Sequence, residues 1–141
     1  MAIEKLDSGE HIKVRLFGKE KEVEVFLTEY DRKSLSDEEI ACLNWLVENV
    51  DLSDYRKEIT AWCNEQYNIC CETVIREEDL ESELDIFAIA VNVTGLPQSN
   101  SGFVYPEISF FGDCKCDEEH GICIGFRDRK FLGVDFQDWT L

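Results

Sequence analysis

Proline, histidine and basic residues are scarce in this chain. Its 141 residues include 2 prolines and 2 histidines, and 14 lysines and arginines stand against 31 aspartates and glutamates. The formal net charge of −17 repels phosphate backbones and anionic lipid, so neither a nucleic-acid nor a membrane partner is expected. No apolar run approaches the roughly 18–20 residues that a membrane-spanning helix needs. The opening residues, MAIEKLDSGEH, carry no apolar h-region. A secretory signal is therefore not expected, and the cytoplasm is the expected compartment. GxSxG, a phosphate-binding glycine loop and HExxH are all missing from the sequence, so no established catalytic signature is present. A non-enzymatic protein without a cofactor is the expectation.

What is present suffices for a core. Apolar residues make up 44 % and aromatics 11 %, a globular composition in a chain the size of one domain, residues 1–141. The acid is spread along it. Residues 1–71 carry 16 acids and 9 bases, and residues 72–141 carry 15 and 5. A surface of this sign favours a basic partner and speeds encounter with one. The seven cysteines are odd in number, and in a reducing compartment most should be free thiols. Cys42, Cys63 and Cys70 lie in apolar helical patterns, where a thiol behaves as a small hydrophobe.

HIKVRLFGKEKEVEVFLT alternates apolar and polar residues on both sides of Gly18 and predicts a β-hairpin. A four-residue turn, Gly18 to Lys21, would set Val14 opposite Val25, Leu16 opposite Val23 and Arg15 opposite Glu24. SLSDEEIACLNWLVENV starts a helix, with Ser36 and Glu39 spaced as a capping box. A second helix begins near Ser53, with Tyr55, Ile59, Trp62, Gln66 and Cys70 at helical spacing. ETVIREEDLESELD holds seven acids and one arginine and reads as a helical turn or an exposed connector. IFAIAVNVTG predicts a buried strand. GLPQSNSGFVYP, residues 95–106, contains both prolines and is the clearest loop. Phe103 and Tyr105 within it are candidate interface anchors. The tail predicts a strand meander. The fold expected is α+β, an antiparallel sheet of N-terminal hairpin plus C-terminal meander packed on two helices, in the order β-β-α-α-β-β-β-β.

DCKCDEEHGIC, residues 113–123, offers Cys114, Cys116, His120 and Cys123 as possible zinc ligands. Strand parity argues against convergence. A five-residue loop, Asp117 to Gly121, sets Cys116 opposite Ile122 and Cys114 opposite Ile124, and Cys123 then points to the other face. A three-residue loop, Asp128 to Lys130, puts Phe126 opposite Leu132 and Ile124 opposite Val134, again with Ile122, Ile124 and Phe126 toward the core. No metal site is expected. Asp117, Glu118, Glu119 and His120 become the exposed hairpin tip and a candidate contact patch for a basic partner.

ISFFGDCKCDEEHGICIGFRDRKFLGVDFQDW also resembles a group of small acidic bacterial proteins that share a strand, an acidic Glu-His-Gly turn, an apolar strand, a polar turn and a final strand. These resemble immunity proteins of polymorphic or contact-dependent inhibition toxin systems. The resemblance covers residues 107–139 and rests on Asp117, Glu119, His120, Gly121 and the flanking β pattern. Cys116 stands where such relatives often carry an aromatic, and Asp128-Arg129-Lys130 lacks the glycine expected of the polar turn. The resemblance implies stoichiometric binding of a cognate toxin, with no catalytic residues. The other classes left open are a metal- or thiol-dependent protein or enzyme using Cys114, Cys116, His120 and Cys123, and an acidic adaptor for another basic partner.

Overall fold

The computed structural model describes residues 2–28, 31–70, 74–92, 105–115 and 117–140, with the backbone alone at 67–70, 117–118, 138 and 140. Phe103 and most of the 95–106 loop lie outside the described residues.

Strand β1, His11–Leu16, and strand β2, Lys19–Leu27, form the expected hairpin. The turn is two residues long, because Phe17 (φ 51°) and Gly18 (φ 79°) both take left-handed backbone, the geometry that matches the twist of paired strands. The register therefore differs from the expected one. Val14 faces Lys21, Leu16 faces Lys19, and Arg15 faces Glu20 in place of Glu24. The shift is an even number of residues, so each side chain keeps its face. Two opposite-charge pairs, Lys13 with Glu22 and Arg15 with Glu20, line the solvent side.

Helix α1, Asp37–Asn49, opens on the predicted capping box: Ser36 Oγ accepts from Glu39 N and Glu39 Oε1 accepts from Ser36 N at 2.8 Å. Glu39 is fully buried, and Arg32 donates to both of its oxygens, at 2.7 and 2.5 Å. A 3-10 turn, Leu52–Tyr55, leads into helix α2, Arg56–Cys70. Asp51 caps that turn through Ser53 N and also accepts from Gly18 N at 3.0 Å, tying the hairpin turn to the helical layer. The acidic stretch then forms a 3-10 turn, Glu77–Asp79, and a third short helix α3, Leu80–Glu83, beyond the two helices expected.

Strands β3 (Leu84–Val91), β4 (Ile108–Cys114), β5 (Asp117–Arg127) and β6 (Lys130–Asp135) complete a six-stranded sheet in the order β1-β2-β3-β4-β5-β6. The architecture is α+β, but the sheet is mixed. β2 and β3 run parallel, because the helices between them carry the chain across one face and back to the end where β2 began. The other neighbours are antiparallel.

The main core lies between the sheet and the helices, with Val23, Val25, Ile89, Phe110, Ile124 and Phe126 meeting Leu43, Leu46, Ile59 and Leu80. Ala88, Ala90, Phe111 and Cys123 are buried on the opposite face, with Phe26 and Trp139 against them. The central strands are thus apolar on both sides, as the unbroken run of IFAIAV requires.

Candidate functional site: an acidic groove at one end of the sheet

The hairpin tip does not fall on Asp117 to Gly121, which lie within a strand. β5 begins at Asp117, which pairs with Cys114, so two residues separate the strands in place of five. A bulge between Gly112 and Cys114 then brings Gly112 opposite Ile122 and Phe110 opposite Ile124. Glu119 and His120 are exposed strand residues, and the His120 ring lies 5.3 Å from the Phe136 ring. Gly121 sits in the strand with φ 68°. A Cβ there would collide with the Gln137 amide, which donates to Gly112 O at 2.7 Å, directly beside the bulge. The glycine is therefore demanded by packing as well as by backbone conformation.

Parity places the cysteines as anticipated even though the register moved. Cys114 belongs to the main core, whereas Cys123 lies in the cluster on the other face. Among the described residues no group of three or more His, Cys, Asp or Glu is arranged to hold a metal ion. Cys116 falls outside them. Among the described cysteines Cys42, Cys63 and Cys123 are free, whereas Cys114 is disulfide-bonded. Cys63 Sγ lies 3.7 Å from Cys114 Sγ. Burial pushes the Cys63 and Cys123 thiols up to about 12 and the Cys42 thiol up to about 11. Thiols this hard to ionise are poor nucleophiles and poor metal ligands.

The other sequence candidates scatter. Tyr105 is half-buried, and its carbonyl accepts from Arg127 at 2.7 Å. The side chains of Asp117 and Glu118 lie outside the described set.

The acid that does converge comes from the segment read as a turn or connector. Asp79, Glu81 and Glu83 lead along α3 into β3, where Asp85 is exposed. β3 pairs with β4 so that Asp85 stands directly opposite Asp113, also exposed. Glu83, Asp85 and Asp113, with Ser82, Leu84 and Lys115, line a groove of about 390 Å³. Lys115 N donates to Glu83 O at 3.0 Å and closes one end. Lys21 Nζ reaches Asp85 at 2.5 Å. Arg56 pairs with Glu81, and Arg76 lies 3.5 Å from Glu78. A bulge between Ile86 and Ala88 leaves Phe87, two residues from Asp85, 42 % exposed. Composition flagged the acid run, but the Asp85–Asp113 pairing depends on a register that no local signal announces.

Fold and groove define a class: a small α+β protein with a mixed six-stranded sheet and acidic side chains gathered at one sheet end. No described helix is long and apolar enough to cross a membrane. The chain belongs to the family of the domain of unknown function DUF6985, whose model matches residues 4–141. No curated protein and no solved structure matches the chain.

Proposed function

We propose that this protein is a non-enzymatic acidic binding protein that neutralises a basic partner by direct contact, an immunity protein for a cognate bacterial toxin. The observation that carries this reading is the Asp85–Asp113 pair. Like charges set opposite each other across a sheet are locally unfavourable. Lys21 balances one carboxylate of the pair. A lysine or arginine from a partner would balance the other. Phe87, exposed beside them, supplies the aromatic anchor that binding surfaces place among charged groups. This moves the contact patch from Asp117, Glu118, Glu119, His120, Phe103 and Tyr105 to the groove. Enzymatic use of the cysteines has less support, because three of them are buried thiols with raised ionisation points.

The test is growth rescue and complex formation with the product of the neighbouring upstream reading frame. The proposal predicts a 1:1 complex, rescue of the producing cell, and loss of both on charge reversal by Asp85→Lys with Asp113→Lys. Rescue that persists in that double variant would overturn the groove assignment. A housekeeping product that forms no complex would overturn the immunity reading.

A further inference from the structure

The turn between β5 and β6 is built against local preference. Asp128 (φ 53°) and Arg129 (φ 61°) both take left-handed backbone, positions that two-residue hairpin turns normally give to asparagine and glycine. Non-glycine residues there persist only when the surroundings hold them, and such sites gather where a side chain has to be aimed. Contacts from both residues hold this turn. Asp128 N donates to Glu107 Oε1 at 2.7 Å, and the Arg129 guanidinium lies over the Trp45 ring, 5.7 Å from its centroid.

Arg127 and Arg129 flank a cleft of about 350 Å³ between α1 and this turn, within the size range of small-molecule sites. Trp45 forms its open apolar wall, with Ile108 and Phe126 beneath. Lys21, Arg32, Arg56 and Arg76 each pair with a carboxylate. Among the described residues Arg127 and Arg129 do not; they donate to the carbonyls of Tyr105 and Ala41. In a chain with 31 acids, two guanidiniums beside an apolar wall without a carboxylate partner point to an anion from outside.

We propose that this cleft binds a small organic monocarboxylate, its carboxylate held by Arg129 with Arg127 and its apolar body against Trp45. Glu38, Glu107 and Asp128 also line the cleft and disfavour a second negative charge, which selects a monocarboxylate over phosphate. The site is separate from the acidic groove and stands whether or not a toxin is the partner.

Phenylacetate is the probe, titrated calorimetrically against 2-phenylethylamine and inorganic phosphate. Phenylacetate should saturate one site with a Kd of about 1 mM, the scale for so few atoms, and should move the indole N–H resonance of Trp45 while sparing Trp62 and Trp139. Arg129→Gly removes the guanidinium while relieving the left-handed strain. It should stay folded and bind phenylacetate at least about tenfold more weakly. Arg129→Gln provides the same comparison with a side chain retained. Equal binding of the amine or of phosphate, undiminished binding in the folded variants, or no saturable phenylacetate binding with a Trp45 response would each overturn the proposal.

Discussion

Asp85 and Asp113 face each other across β3 and β4, two exposed carboxylates, with the Lys21 ammonium at 2.5 Å from the first. This arrangement trades a little stability for a field directed at a cation. Asp113→Asn should therefore raise stability slightly, by about 0.5 kcal/mol or less, since exposed pairs are weak. Urea unfolding checks it, and the gain should shrink in high salt.

Phe87 and the acids beside it have separate roles in the proposed complex. Phe87→Ala should cost about 1 kcal/mol of stability, because a residue 42 % exposed still buries over half of its surface. It should weaken partner binding by about 1–2 kcal/mol, mostly through faster dissociation. Surface plasmon resonance separates the two rates.

Glu39 sets an acid limit on stability. Burial alone would raise its ionisation point, but the hydrogen bonds from Arg32, Ser36 N and the Ser36 hydroxyl, with the charge of Arg32, hold it below the usual carboxylate value. Its contribution is thus complete above the unfolded value of about 4.3 and is lost as pH falls through the lower folded value. Wild-type protein should lose stability across that acid window. Glu39→Gln should remove this component of the pH dependence and cost about 1–3 kcal/mol at neutral pH, because it loses the charge on the acceptor of the Arg32 hydrogen bonds and weakens the cap. Chemical denaturation at a series of pH values reads both.

Gly121 explains the glycine of the Glu-His-Gly stretch. Gly121→Ala should cost about 2 kcal/mol or more, from left-handed alanine and displacement of the Gln137 amide. Gln137→Ala alone should cost about 1 kcal/mol. In the double variant the total cost should fall short of additivity, because the Gln137 part of the collision is gone while the Gly112 carbonyl oxygen, 2.8 Å from the added Cβ, still opposes it.

Much of this fold is legible in the sequence because side-chain period survives errors of register. Strand parity alone sets Cys114 and Cys123 on opposite faces, where they lie, and Ile124 faces Val134. Two of the misread registers, β1–β2 and β5–β6, share one cause, whereas the β4–β5 register moved with an earlier turn and the bulge between Gly112 and Cys114. Phe17, Asp128 and Arg129 adopt left-handed backbone without being glycine, so the turns are shorter than their composition suggests. β2 and β3 became parallel neighbours through the path of three helices, which no strand pattern encodes. The Arg32–Glu39 pair and the Asp85–Asp113 opposition likewise arise only when the chain folds back. The acid run was visible, but its meeting with Asp113 was not.

The groove is tested most directly by stopped-flow association with the product of the neighbouring upstream reading frame, measured across ionic strength for wild type and the double variant Asp85→Asn, Asp113→Asn. The account predicts a 1:1 complex whose association rate falls as salt rises, with the double variant slower by about tenfold at low salt and less sensitive to salt. An association rate and salt slope unchanged by the double substitution would contradict it.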